Sequence, residues 1–287
     1  MAAIYTPSTR GFDARLTSID RCQVALLREV VGQYGQRLVL KGGMAMRAVF
    51  GSLRLTKDID FDREPSLSMD SLKAGLPKAL VRAAANAGIR QPLAEITKLT
   101  LTTARARLAG VAPTGEPVRF EVEISGRNAI PAEWKRRETV APPASYGMAP
   151  FVIESYSTDA LAAMKVAAAM SQARHAARDI YDLQDLIAAN ANPAALLASR
   201  SPAQALQTIK QTALSKLELV GFDLAREELL PYLPPDIRES LTPERWLEYT
   251  LTVAAAVERW CQAALDLQQQ NLHQPTVLPL EKGRSLL

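Results

Sequence analysis

The 287-residue sequence predicts an α+β architecture: a mixed sheet with flanking helices over residues 1–150, then a helical bundle over residues 151–287. Three observations carry this expectation. Short apolar or alternating stretches, punctuated by glycine, fill the first half. The Pro/Gly-rich run "APPASYGMAPF", residues 141–151, reads as a linker. Beyond it the chain turns alanine-rich, with apolar residues three or four apart.

In the first half, "LTSIDRCQVALLREVVGQYG" has apolar residues at helical spacing and ends in Gly35. It predicts a helix over Thr17–Tyr34, capped by Thr17 or Ser18. "RLVLKGG" is a strand over 37–41 running into Gly42 and Gly43, and "MAMRAVFG" a short helix stopped by Gly51. "KDIDFD" alternates acid and apolar, the pattern of a half-buried strand over 57–62. "SLKAGLPKALVRAAANAG" is a helix that Pro77 is expected to kink or divide. Strands over 99–108 and 117–125, joined by the turn cluster "VAPTGE", form a β-hairpin. Its alternation puts Phe120, Val122 and Ile124 on one face and Arg119, Glu121 and Glu123 on the other.

In the second half, "STDALAAMKVAAAMSQA", "ARDIYDLQDLIAAN", "SPAQALQTIKQTALSKLE", "DLAREELLPYL" and the long run from Pro243 read as successive helices. In the last, Trp246, Tyr249, Val253, Val257, Trp260 and Ala264 make one core-facing stripe. The tail from His273 reads as loosely ordered.

Composition narrows the function classes. No run of 18 apolar residues suggests a membrane span, and the polar N-terminus lacks the apolar core of a secretory signal. Cys22 and Cys261 lie far apart inside helical patterns and read as buried thiols, which points to a reducing, cytoplasmic setting. Two histidines offer little for a zinc site. Residues 1–150 hold 22 Lys and Arg against 14 Asp and Glu, whereas residues 151–287 hold 12 against 16. The basic half suits a polyanion such as a nucleotide or RNA, or is simply solvated.

The chemistry concentrates in "LVLKGGMAMRAVFGSLRLTKDIDFD". A glycine pair lets the backbone approach a phosphate closely. Helix-start N–H groups attract anions. Asp58 and Asp60 share one side of a strand, spaced to hold a divalent cation, and magnesium prefers carboxylates plus substrate phosphates. Two-metal phosphoryl transfer calls for a third carboxylate, which "RFEVEIS" supplies as Glu123, with Glu121 as the alternative.

Gly42-Gly43, then Asp58-Ile59-Asp60-Phe61, then an acid in an apolar strand resembles the nucleotidyltransferase superfamily with the polymerase-β-like fold. More narrowly, the segment is similar to the first motif of the AbiEii/AbiGii-type toxin nucleotidyltransferases, which include the MenT toxins. Their usual form is Lys-Gly-Gly-Thr-Ala-Leu followed by Arg-Phe-Ser-x-Asp-Leu-Asp. "LAAMKVAAAMSQARHAARDIYDL" is similar to their helical motif, a lysine followed by Arg-Asp-x-x-Asp, here Lys165, Arg178, Asp179 and Asp182. The motifs cover about residues 37–186. Met44 departs from the family's Thr or Ser, Thr56 replaces a frequent serine, and the strand acid is often Asp there.

The resemblance implies a nucleotidyltransferase domain over 1–150 and a helical domain over 151–287 that completes the active site. Asp58, Asp60 and Glu123 would be catalytic ligands of Mg²⁺ or Mn²⁺. Lys41, Gly42, Gly43, Lys57, Lys165 and Arg178 would bind the NTP, and Asp179 would orient Lys165 or touch substrate. Asp182 is a further motif acid or merely the i, i+4 partner of Arg178. Arg47 is a phosphate ligand or solvated. Asp62 reads as exposed. The activity implied is transfer of NMP from an NTP to an acceptor hydroxyl, the tRNA 3′ end in some members, by a toxin opposed by an antitoxin protein. A protein or small-molecule acceptor, or a non-enzymatic nucleotide-binding or RNA-binding module, are the rival readings. Arg105, Arg107, Arg119 and Arg127, with "WKRR" at 134–137, are the expected RNA-facing surface. Trp134 either stacks on a base or packs.

Overall fold

A computed structural model describes residues 11–127 and 131–273. The expectation for the tail beyond His273 falls outside the described residues. The first half begins with α1 (Ala14–Tyr34), β1 (Leu38–Lys41), α2 (Gly42–Ala48), β2 (Asp58–Arg63) and α3 (Met69–Asn86). The strands β3 (Arg90–Leu99), β4 (Thr103–Val111), β5 (Pro117–Ser125), β6 (Lys135–Val140) and β7 (Phe151–Tyr156) follow. One seven-stranded sheet results, in the order β3-β4-β5-β2-β1-β7-β6. It is mixed: β2 pairs parallel with β5 and β1 parallel with β7, while β1–β2, β3–β4, β4–β5 and β6–β7 are antiparallel.

The short central strands β1 and β2 follow from their patterns. Leu38, Val39 and Leu40 are buried, as are Ile59 and Phe61 between the acids of β2. On β5, Phe120, Val122 and Ile124 are buried as the alternation requires. The expected strand over 99–108 is not one strand: the chain turns between Leu99 and Thr103, and β4 pairs with β5 from Thr103 to Val111. β3 joins β4 as the sheet's outer strand, with register shifts between Arg90 and Leu93 and between Ile96 and Lys98. β3 escapes the sequence pattern because almost none of its residues is buried on either face. Edge strands lack the apolar alternation that betrays inner ones.

Two local expectations need correction. α1 starts three residues early, at Ala14, and its cap is Asp13 rather than Thr17 or Ser18; the Asp13 side chain accepts from the Leu16 N–H at 2.7 Å. α3 runs unbroken through Pro77. It packs along α1 and the sheet, with Leu72, Leu76, Leu80 and Ala83 fully buried. That burial outweighs the one backbone hydrogen bond that Pro77 cannot donate.

The second half contains α4 (Thr158–Ala169), α5 (Ala177–Ala188), α6 (Ala194–Arg200), α7 (Ala203–Glu218), α8 (Phe222–Glu228), α9 (Pro235–Ser240) and α10 (Pro243–His273). α10 packs on α5, α6 and α7. Its stripe is core as expected: Trp246, Val253, Val257, Trp260 and Ala264 are buried, and the Trp246 indole donates to the Val220 carbonyl at 2.8 Å. Cys22 and Cys261 are buried free thiols. The division at 150/151 does not follow the hydrogen bonding. β7 begins at Phe151 and lies between β1 and β6, so the sheet extends to Tyr156. Helices take over at α4, capped by Ser157.

Candidate active site

β2 points Asp58 and Asp60 to the face opposite Ile59 and Phe61, both half-buried. The parallel register with β5 sets Glu121 beside Asp58 and Glu123 beside Asp60. Neither aspartate makes a side-chain hydrogen bond or ion pair with another described residue. Burial raises the Asp58 carboxyl and Glu121 adds to the rise, while Arg178, Lys57 and Arg105 oppose it. Burial pushes Asp60 up to about 6; Lys41 and Lys165 oppose the shift, while Asp58 and Glu123 add to it.

The glycine pair is built around these acids. Gly42 has φ +68°, and a Cβ there would lie 2.6 Å from the Asp60 Oδ2. A Cβ on Gly43 would lie 2.8 Å from both the Arg54 guanidinium and the Thr56 hydroxyl. Each glycine is therefore required by close approach, the first also by its backbone angle. The Met44 side chain is fully buried in the core, so the position where the motif fits least well does not line the cleft.

Gly42, Gly43, Asp58, Asp60, Glu123, Lys41, Lys165, Arg178 and Asp179 all line one cleft of about 410 Å³, together with Arg54, Thr56, Arg105 and Arg174. Nearly every motif residue thus converges. Lys57 does not: its ammonium lies 4.7 Å from the centre of the Tyr232 ring in an adjoining cavity. Glu123 faces the cleft and Glu121 the adjoining cavity.

Lys165 is buried, and its Nζ contacts Asp179 at 3.0 Å and Asp182 at 2.5 Å. Asp182 also receives both prongs of Arg54, at 3.0 and 2.9 Å. Asp179 receives Arg174 at 2.6 and 3.2 Å. Burial works to raise the Asp179 carboxyl; the Lys165 charge and the hydrogen bonds of Arg174 outweigh it and hold the group below its usual range. The expected link between Asp179 and Lys165 is present. Asp182 is not a surface partner of Arg178, because Arg54 and Lys165 claim it from inside. Arg54 and Arg174 had no distinguishing local signal; Arg54 meets Asp182 across 128 positions of sequence.

Two further expectations are corrected. Arg47 is no phosphate ligand. It is buried, pairs with Asp20 at 3.3 Å and donates to the Ser52 carbonyl at 2.9 Å. Asp62 is not exposed: it accepts from Lys41 at 2.6 Å and from the Tyr156 hydroxyl at 3.0 Å. Lys41 is thereby anchored at the cleft wall by the third acid of the Asp-rich strand.

The arginines of the expected RNA surface are largely matched by acids. Arg105 grips Glu123 at 2.6 and 3.0 Å, and Arg107 lies 3.3 Å from Glu121 and 3.5 Å from Glu95. Arg119 lies 3.8 Å from Glu121, and Arg127 donates to the Thr103 hydroxyl at 3.0 Å and lies 4.0 Å from Glu123. Lys135 pairs with Glu64. Trp134 packs against the core.

The residues fit a magnesium-type ion in part. Two unpaired, desolvated carboxylates with oxygen-only chemistry, beside a glycine whose missing Cβ leaves space against Asp60, suit an ion that uses one or two carboxylates plus substrate phosphates. Among the described residues, no group of three His, Cys, Asp or Glu is placed to hold a metal. Glu123 faces the same cleft with its Oε2 held by Arg105 at 2.6 Å.

No helix among the described residues is long and apolar enough to cross a membrane. Among solved structures, the chain is similar to JHP933 from Helicobacter pylori, with 16% identity, TM-score 0.57, and coverage of 91% of this chain and 98% of that one. It is also similar to a putative nucleotidyltransferase from H. pylori, with 16% identity, TM-score 0.54, and 92% and 100% coverage. MenT4, a nucleotidyltransferase toxin from Mycobacterium tuberculosis, aligns at 17% identity, TM-score 0.41, and 90% and 92% coverage. The two Helicobacter likenesses concern the fold. The comparison with curated proteins yields no match. The sequence model described as "Nucleotidyl transferase AbiEii toxin, Type IV TA system" matches residues 25–263, a span that takes in the Gly-Gly turn, both aspartates of β2, Glu123 and the Lys165–Asp179–Asp182 cluster. The chain belongs to the AbiEii family of nucleotidyltransferase toxins of type IV toxin–antitoxin systems.

Proposed function

We propose that this toxin transfers a nucleoside monophosphate from an NTP to a hydroxyl at the 3′ end of an RNA, with tRNA as the acceptor, and does so with Mg²⁺ or Mn²⁺ bound at Asp58 and Asp60. One observation carries the reading. Two carboxylates without partners face a cleft whose other wall bears Lys165, Arg174 and Arg178. Isolated buried acids cost stability, and a cationic wall opposite them suits a triphosphate.

In the reaction, the acceptor hydroxyl oxygen bonds to the α-phosphorus. The bond from that phosphorus to the bridging oxygen breaks, pyrophosphate leaves with the electron pair, and the hydroxyl proton goes to water. A divalent ion, when bound, supplies Lewis-acid stabilisation of the developing charge. Asp58 and Asp60 would hold it. Lys165, fixed by Asp179 and Asp182, and Arg178 would neutralise the phosphates. Gly42 lets the chain turn against Asp60. An antitoxin partner follows from the family.

The test is incubation with Mg²⁺, each α-labelled NTP in turn and total tRNA, beside an Asp58→Ala control. Label on tRNA with wild type alone supports the proposal. Label on protein or a small molecule moves the acceptor elsewhere. Equal labelling by wild type and Asp58→Ala would refute the roles given to the carboxylates.

A further inference from the structure

A second cavity adjoins the cleft just described. It measures about 590 Å³ and shares with that cleft only Thr56 and Asp58, so the two spaces meet at these two residues. One holds Lys165, Arg174 and Arg178 and the other none of them. A transfer between two substrates needs a place for each on either side of the reacting group.

The second cavity has the chemistry of a nucleotide site. Leu16, Ile19 and Phe120 give it apolar walls. Tyr232 presents an aromatic ring, with the Lys57 ammonium 4.7 Å from its centre, and Arg15, Arg119 and Arg238 line the cavity against Asp13, Asp20 and Glu121. Its volume is that of a small-ligand site. On α1, Gln23 also lines it. This side chain is fully buried, and both its amide nitrogen and its amide oxygen lack a hydrogen-bond partner among the described residues. Buried amides are nearly always satisfied, so an orphan pair calls for an explanation. An amide offers a donor and an acceptor side by side, which matches the edge of a nucleobase.

We propose that this cavity is the acceptor subsite. It takes the terminal nucleotide of a single-stranded RNA 3′ end, with the base against Tyr232, the base edge on the Gln23 amide, and the 3′ hydroxyl delivered to the Asp58 junction. Single-stranded ends are read by stacking on aromatic rings and by hydrogen bonds to base edges. The excess of basic over acidic residues in the first half suits a polyanionic partner such as RNA. The inference rests on the transfer reaction proposed above and assigns its second substrate to a place.

The experiment uses the full chain, Mg²⁺, a labelled NTP and four RNA oligonucleotides that differ only in the 3′-terminal base. Mg²⁺–NTP affinity is measured in parallel by calorimetry, and folding by thermal melting. Wild type is expected to prefer one terminal base by about tenfold in kcat/KM. Gln23→Leu should collapse that preference to within about twofold. Tyr232→Ala, at a half-exposed ring whose backbone bond to Leu55 persists, should raise KM for every RNA about tenfold. Both variants should keep the wild-type NTP affinity. If both label all four RNAs with wild-type KM and preference, or lose NTP affinity instead, the acceptor subsite is wrong while the transfer reaction stands. If wild type labels no RNA, the transfer reaction to RNA falls, and this inference with it.

Discussion

Asp60→Asn should make the metal-free protein more stable at neutral and alkaline pH, and only there. The Asp60 carboxyl is displaced from its ordinary 3.8 to about 6, chiefly by burial. At about 1.4 kcal/mol per factor of ten in the ionisation constant, the ionised form costs the fold up to about 3 kcal/mol. The native state binds the Asp60 proton more tightly than the unfolded chain does. Stability therefore falls as pH rises from about 4 to about 6, and the full cost is present above that window. Asparagine has nearly the same shape and carries no charge. Urea unfolding in EDTA should show Asp60→Asn ahead of wild type by about 1–3 kcal/mol at pH 8, with the gap closed at pH 4. In melting temperature this amounts to roughly 2 °C per kcal/mol. Adding Mg²⁺ at pH 8 should stabilise wild type and not Asp60→Asn, reversing the order if the ion binds tightly enough. A gap that is absent at pH 8, or equal at both pH values, would show that burial of this charge is not what strains the site.

Three further outcomes follow from the same geometry. Gly42→Ala should cost about 2 kcal/mol or more, from the left-handed backbone and the clash with Asp60; it should also abolish labelling, checked by urea unfolding and the transfer assay. Arg54→Ala leaves Asp182 with Lys165 alone, so a loss of about 3–5 kcal/mol is expected. At a temperature where that variant is folded, its kcat should fall while Arg54→Lys recovers only part of it, since a lysine cannot make the paired contact. Arg47→Ala should cost a similar amount of stability yet keep the wild-type KM for NTP, because its guanidinium serves Asp20 and Ser52; an increased KM would restore it as a phosphate ligand.

The cleft was legible where its residues are close in sequence. Asp58 and Asp60 advertise themselves by alternating with Ile59 and Phe61, and Gly42-Gly43 by their lack of side chains. The helical motif around Lys165, Arg178 and Asp179 was reached only through family resemblance, since a lysine on an alanine-rich helix carries no local mark. What stayed hidden depends on the fold. Nothing near Arg54 announces that Asp182 is its partner, and nothing near Asp62 shows that Lys41 and Tyr156 close over it. Gln23 looked like any polar residue on a helix, though it is fully buried. β3 and β6 are largely exposed and lack the apolar alternation of inner strands. β7 was obscured by the Pro/Gly run before it, which reads as a boundary although the sheet resumes immediately after.

The position of β7 has a consequence for synthesis of the chain. Asp58 and Asp60 emerge from the ribosome about a hundred residues before Lys165 and Asp179, and before the strand that must lie between β1 and β6. At about 5–20 residues per second, that interval lasts several seconds. During it the nascent chain holds the acidic half of the cleft without the cationic wall, and its central sheet is incomplete. A prematurely terminated fragment would be in the same condition. The cleft therefore has all its walls only once the chain has been read past Asp182.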